Sequence, residues 1–218
     1  MRRVNRTMLL ALLICALPLE ATAWIRSPAT TFATLPAGAT NPEGITVDDE
    51  GNVYVTTFAV GGTSSGTGQL FVFGSSGKLL RQVNVADSTP FLLDLAFHPS
   101  TGALLVIDFG GKQVLTVDPV TGASTVFATI PGGGGAGPKV LPFDSAGNVY
   151  ISDSFQGKIW RTGPGGGAPV AWVASPLLTT TGVPPFGANG LAFNKAETWL
   201  FVANTGNDTV VKVPVSGS

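Results

Sequence analysis

Polar residues that could do chemistry recur at one position of an internal repeat. Glu43, Leu93, Lys139 and Asn189 each stand four residues before a large apolar anchor residue. A carboxylate only accepts hydrogen bonds, an ammonium only donates them, and a carboxamide does both. The repeat therefore collects one column of residues in which a polar site could be built.

The anchor residues define a repeat with the length of a propeller blade. They are Val47, Phe97, Phe143 and Phe193. In each repeat a short apolar strand leads through a polar turn into a second strand, over 43–57, 93–108, 139–153 and 189–204. Repeats of roughly 40–50 residues made of short strands are typical of four-stranded propeller blades. The innermost strand of a blade begins near the central axis, so the column is predicted to face the channel.

The whole folded part of the chain is predicted to be all-β. Apolar residues alternate or form short runs between Gly, Pro, Asp and Asn, and no stretch keeps a helical period. Middle strands are predicted at 53–55, 70–73, 104–107, 114–117, 149–151, 158–161 and 200–202. Outermost strands are predicted at 79–85, 124–129 and 170–174.

The number of repeats predicts an incomplete ring. The fourth repeat stops at Val215 before an outermost strand, and Thr31–Thr34 could supply one closing strand. We expect a β-propeller of the six-bladed type with about four blades in this chain, so that roughly 100 residues are missing. An open, unpaired edge would also allow two chains to dimerise through it.

The first 23 residues are predicted to be a secretory signal, and residues 24–218 the incomplete propeller. Arg2, Arg3 and Arg6 precede the apolar run 8–17, and Ala21–Ala23 is a small-x-small cleavage site. A retained N-terminal anchor is the alternative. The expected location is secreted or periplasmic, with no membrane association after cleavage.

The composition narrows the classes of function and the sources of stability. The predicted mature chain loses the one cysteine of the sequence, so no disulfide can form, and it keeps a small excess of acidic residues. Basic side chains are few and scattered, which excludes nucleic acid as an expected partner.

Two segments resemble signatures of the gluconolactonase and senescence-marker-protein (regucalcin-like) family. They are Pro42-Glu43-Gly44, which opens a strand, and the run Gly187-Ala188-Asn189-Gly190-Leu191-Ala192-Phe193. The resemblance covers four consecutive blades, and it implies a six-bladed propeller. It also implies a metal-dependent lactone hydrolase that opens a sugar or related lactone at a channel-bound divalent cation, commonly Ca²⁺.

The resemblance also assigns metal positions to individual residues. Glu43 matches the glutamate ligand of the first blade, and Asn189 matches the asparagine ligand of the fourth. Lys139 stands where the third blade would supply an asparagine, and the aspartate of the fifth blade would lie beyond the chain. Since an ammonium has no acceptor, Lys139 would repel a metal and could pair with Glu43 as a tethered substitute cation.

Simpler interpretations of these residues remain open. Glu43 could be a loop carboxylate, Asn189 a turn residue, and Lys139 a solvated side chain. The alternative function is a non-catalytic propeller that binds a small molecule, a glycan or a protein through its loops.

Four other polar residues are predicted to be structural. Asp108, Asp153 and Asn204 follow the second strand of successive blades and are predicted to cap turns. His98, the one histidine, is assigned to a hairpin turn rather than to a catalytic triad.

Overall fold

The computed structural model describes residues 28–39, 41–59 and 65–216. The predicted signal segment lies outside these ranges, so both it and the boundary at residue 24 stay predictions. The chain divides into two units, 1–31 and 32–218, and every named strand belongs to the second. No helix among the described residues is long and apolar enough to span a membrane.

The second unit is built from four antiparallel sheets in chain order, which confirms the all-β propeller prediction. The first blade is β1 (Pro42–Val47), β2 (Val53–Thr57), β3 (Gln69–Phe73) and β4 (Leu79–Asn84). The second blade is β5 (Leu92–Phe97), β6 (Leu104–Asp108), β7 (Gln113–Val117) and β8 (Ser124–Thr129). The third contains β9 (Val149–Asp153), β10 (Lys158–Gly163) and β11 (Gly166–Ala174). The fourth is β12 (Ala188–Phe193), β13 (Trp199–Asn204) and β14 (Thr209–Pro214).

In the first and third blades, an aspartate caps the turn between the two innermost segments. Asp48 accepts hydrogen bonds from the backbone and side chain of Asn52 and from the hydroxyl of Tyr54, at 2.7, 2.8 and 2.9 Å. Gly51 supplies the positive φ of 80° that the turn requires. Asp144 repeats this arrangement in the third blade, where it accepts from Asn148 and Tyr150.

The innermost segment of the third blade is not a regular strand, contrary to the sequence expectation. Residues 138–143 lie beside β9 through isolated bridges from Pro138 to Asp153 and from Phe143 to Val149. Pro138 and Pro142 have no N–H group, so they cannot donate to a ladder at their positions. The segment nevertheless occupies the inner place of the blade, since Lys139 N–H donates to the Ser152 carbonyl at 3.1 Å.

The predicted closing strand at Thr31–Thr34 is not formed in the structure. Residues 28–36 have no regular secondary structure. Ala33, Leu35 and Ala39 instead pack on the free face of the first blade, against a cluster that contains Phe71 and Phe73. This segment buries apolar surface without adding a strand to a sheet.

Neighbouring blades share three apolar cores, and the repeat anchors contribute to each of them. Phe97 meets the ring of Tyr54 in the preceding blade edge to face, with centroids 5.0 Å apart, and Phe193 meets Tyr150 in the same way. Phe143 packs on His98. Val47 is 55% exposed because no blade precedes it among the described residues. The anchors therefore join blades rather than only filling their own sheet.

Candidate functional site

The strand register confirms that the four column positions are equivalent. Pro42 pairs with Thr57, Leu92 with Asp108, and Ala188 with Asn204, and the bridge from Pro138 to Asp153 is their counterpart in the third blade. Pro42, Leu92, Pro138 and Ala188 are each followed directly by a residue of the column. Glu43, Leu93, Lys139 and Asn189 thus all lie at the rim where inner strands begin and second strands end.

Leu93 has a packing role in this column. Its side chain is buried, and its carbonyl accepts a hydrogen bond from the Thr56 hydroxyl at 2.6 Å. The same hydroxyl accepts from Gly44 N–H at 3.1 Å. A Cβ on Gly44 would lie 2.2 Å from the Leu93 carbonyl oxygen, so only glycine fits this junction between the first two blades.

Glu43 and Lys139 are brought close enough to interact electrostatically. Glu43 is exposed, whereas Lys139 is half-buried. Burial lowers the pKa of the Lys139 ammonium, and the Glu43 carboxylate opposes part of this effect. The two side chains thus lie within electrostatic range of each other, and the pairing of Lys139 with Glu43 stays a prediction.

Lys139 is also enclosed by aromatic rings from two loops. Its ammonium lies 4.2 Å from the centroid of Phe186 and 5.4 Å from that of Phe109. A cation over the face of a ring is attracted by the ring quadrupole, which partly offsets the loss of water. The interpretation of Lys139 as a solvated loop residue therefore does not describe its surroundings.

A second carboxylate, Asp94, joins this group and was missed in the sequence. Its Oδ2 accepts a hydrogen bond from Leu141 N–H at 2.9 Å, which ties the second blade to the third. Burial raises the pKa of the Asp94 carboxyl, and the charge of Glu43 adds to that rise. The sequence signal for Asp94 is that it is the one acidic residue in the apolar strand Leu92–Phe97 and directly follows the column residue Leu93.

Asn189 is held by a neighbour in its own blade. Its Nδ2 donates to the Thr205 hydroxyl at 2.9 Å. Since an amide nitrogen carries two hydrogens, this bond leaves the amide oxygen and a second N–H of Asn189 for a ligand. Gly190 beside it has open space, since a Cβ there would meet only Ala203 at 3.8 Å.

The residues at this rim do not fit the divalent cation that the resemblance implies. Calcium takes six to eight oxygen ligands. Glu43 and Asn189 offer oxygens, but Lys139 brings a positive charge to the third position, next to Glu43. No group of three or more His, Cys, Asp or Glu side chains in the described part of the chain is arranged to hold a metal.

The residues predicted to be structural are structural. Asp153 accepts from the backbone N–H groups of Gly137, Phe155 and Gln156 and from the Trp160 indole. Asp108 plays the same part in the second blade, where it accepts from Thr89, Gly111 and Gln113.

Asn204 and His98 are likewise used by the fold. The Asn204 amide donates to the carbonyls of Leu177 and Thr179. His98 is buried, and its Nε2–H donates to the Gly147 carbonyl at 2.8 Å.

Comparison with known proteins supports the fold. A sequence profile described as a beta-propeller repeat (SBBP) matches residues 37–56, which include β1 and part of β2. No curated protein matches the chain.

Solved structures with a similar fold come from several bacteria. One is a virginiamycin B lyase from Staphylococcus aureus, in a catalytically inactive form with quinupristin. It is 16% identical, with a TM-score of 0.57 over 84% of this chain and 58% of that one. A gluconolactonase from Xanthomonas campestris is 18% identical, with a TM-score of 0.58 over 82% of this chain and 59% of that one.

A protein of unknown function from Bacteroides caccae is 15% identical, with a TM-score of 0.59 over 83% of this chain and 65% of that one. The chain thus spans about three fifths of the length of these structures. At such identities the likeness concerns the fold alone, and the chain is a β-propeller.

Proposed function

We propose that the protein is an exported, lactonase-like propeller whose rim site binds a sugar lactone or a related lactone. Lys139 takes the place of the divalent cation in this proposal. The observation that carries it is the half-buried Lys139 ammonium at the third of the four equivalent column positions, where it stands over the rings of Phe186 and Phe109. The similarity in fold to a gluconolactonase supports the choice of ligand class.

The side chains at the rim suit the opening of an ester ring. The Lys139 ammonium would donate a hydrogen bond to the lactone carbonyl oxygen, where negative charge develops. Glu43 or Asp94 would accept a proton as water attacks the carbonyl carbon. The bond from that carbon to the ring oxygen then breaks, and the carboxyl group returns the proton to the departing oxygen. The product is a hydroxy acid.

The metal-dependent reaction implied by the resemblance is the second candidate, and it requires Glu43 and Asn189 to bind calcium together with ligands beyond those at the described rim. Both present oxygen atoms at equivalent positions of the first and fourth blades. In that case calcium would bind despite Lys139. The two candidates therefore differ in their response to calcium and to removal of the Lys139 charge.

Calorimetry with calcium and with gluconolactone, followed by a ring-opening assay, separates these candidates. We expect lactone binding without added calcium, and we expect Lys139→Asn to weaken lactone binding about tenfold while it raises calcium affinity. Lys195→Asn is the control, because Lys195 is exposed and has the same charge.

Equal calcium titrations for the wild type and Lys139→Asn would contradict the role of Lys139. Lactone binding without ring opening would identify the non-catalytic binding module. Export is tested separately by mass spectrometry of the intact exported protein. We expect the mass of a chain that begins at Trp24 rather than at Met1.

A further inference from the structure

Five phenylalanines from successive blades and their loops form a continuous cluster of rings at the rim, in which Phe155 is exposed and the other four are half-buried. We call it the aromatic rim, and its members are Phe58, Phe91, Phe109, Phe155 and Phe186. Phe58 and Phe109 directly follow the second strands of their blades, and Phe155 follows β9 by two residues. Phe91 and Phe186 come just before inner strands. The five rings therefore lie at the same end of the strands as the column residues.

The rings contact one another in a chain. Centroid separations are 5.1 Å from Phe58 to Phe91, 5.9 Å from Phe58 to Phe109 and 5.8 Å from Phe109 to Phe155. Phe155 and Phe186 are nearly parallel, at 5.9 Å. Phe155 is 42% exposed, so the chain of rings reaches solvent.

Backbone geometry keeps Phe155 in place. Gly137 lies against its ring, and a Cβ there would be 2.7 Å from a ring carbon. The Phe155 N–H is bound by the buried Asp153 carboxylate at 3.2 Å. The exposed ring is thus fixed by the fold.

Two ammonium groups stand over this surface. The Lys112 ammonium lies 4.1 Å from the centroid of Phe109 and 5.9 Å from that of Phe155. Lys139 approaches Phe109 and Phe186. Both lysines therefore share the ring of Phe109.

The two carboxylates that attract Lys112 already accept hydrogen bonds from their own loops. Asp108 and Asp153 attract Lys112, but both are fully buried and accept several hydrogen bonds from their own loops. Glu43 attracts Lys139 and is itself exposed, so an anion at this end of the rim would compete with Glu43 for Lys139. The exposed end of the rim thus combines apolar rings with positive charge.

We propose that the aromatic rim binds a small planar anion, an aromatic or other flat apolar ring that carries a carboxylate or sulfonate group. The ring would lie against Phe155, the exposed member of the cluster, and the anionic group would pair with Lys112 and Lys139. Ring stacking supplies the affinity for the apolar part, and partly desolvated charge pairs select the anion over a neutral analogue. The lactone proposal shares Lys139 with this site but does not involve Lys112.

A pair of dyes tests this binding site directly. Anilinonaphthalene sulfonate is a planar aromatic anion, and N-phenylnaphthylamine has the same ring system without the charge. We expect the anionic dye to bind the folded protein, with Lys112→Met and Lys139→Met each weakening it about tenfold. The neutral dye should bind more weakly and should not respond to either change. Phe155→Ala should weaken both dyes.

Lys212→Met is the matched control, because Lys212 also stands over an aromatic ring, 3.7 Å from the Trp199 centroid, but on the fourth blade. It should leave both dyes unaffected. Thermal melting of every variant shows whether the fold is retained. The proposal would be overturned by absence of dye binding or by equal affinities of the anionic dye for the wild type and the Lys112 variant. A loss in the Lys112 variant that is equal for the two dyes would overturn it as well. Since Lys112→Met should leave lactone binding unchanged, the two proposals can fail independently.

Discussion

At the scale of single residues, burial decides which polar side chains serve the fold and which are open to ligands. Asp108 and Asp153 carry full hydrogen-bond shells and are inaccessible, so they hold loops in place. Glu43 has the same charge but is exposed. A carboxylate at the end of a strand is therefore a cap or a ligand according to the number of loop N–H groups that reach it.

Residue-scale electrostatics predict an unusual titration of tyrosine. Burial and the hydrogen bond to Asp48 raise the pKa of Tyr54 to about 12. The pKa of Tyr150 is raised as well, first by burial. Because the neutral phenol is favoured in the folded state, the stabilisation is fully present below pH 10 and is lost as the pH rises toward about 12.

Absorbance titration of tyrosinate in the wild type and in Tyr54→Phe measures this pKa. The difference between the two curves should show Tyr54 ionising near pH 12. The chain has two tyrosines, so Tyr54→Phe leaves the curve of Tyr150 alone. A Tyr54 group that ionises at its ordinary value in the folded protein would contradict the hydrogen bond to Asp48.

At the scale of secondary-structure elements, the packing of neighbouring inner strands limits which residue can stand directly after a column residue in the chain. The positions after the column are Gly44, Asp94, Val140 and Gly190. Asp94 uses its side chain to bind the next blade, whereas Gly44 brings two backbones together. Equivalent positions thus join the blades by different means.

Two glycine substitutions at equivalent positions should have different effects. Gly44→Ala should lower the free energy of unfolding by about 3 kcal/mol, because the new Cβ would overlap the Leu93 carbonyl and force the blades apart. Gly190→Ala should change it by less than about 1 kcal/mol, since its surroundings are open. Urea unfolding of both variants measures the difference. Equal effects would mean that the first two blades are not packed this closely.

At the scale of the whole molecule, the fourth sheet has an outer strand, β14, that pairs only with β13 among the described residues. Val210 on this strand is 72% exposed. An unpaired strand with exposed apolar side chains is a template for association with another chain. We therefore expect self-association through β14.

Sedimentation velocity over a range of concentrations measures this association. The dimer fraction of the wild type should rise with concentration, and Val210→Lys should reduce it by charging the edge. Val126→Lys is the control, because Val126 is 57% exposed on β8, the fourth strand of a four-stranded sheet, whereas β14 is only the third strand of its sheet. A wild type that stays monomeric at all concentrations would exclude the edge as an interface.

Much of the architecture could be predicted because its causes are local. Alternating apolar residues, turn glycines and capping aspartates lie within a few positions of one another, so the strands and the equivalence of Glu43, Lys139 and Asn189 were found from spacing. The exceptions also have local causes. Pro138 and Pro142 interrupt the inner ladder of the third blade, and Ala33 in the predicted closing strand packs on a sheet face instead of pairing.

The sequence by itself determined the all-β fold, the blade repeat and the column at the strand ends, since these depend on periodicity along the chain. Only the tertiary structure decided what surrounds that column. Asp94 binds Leu141 N–H of the next blade, and the Lys139 ammonium stands over the rings of Phe109 and Phe186. The physical reason is that these contacts join residues far apart in the sequence, and their geometry depends on how consecutive sheets pack.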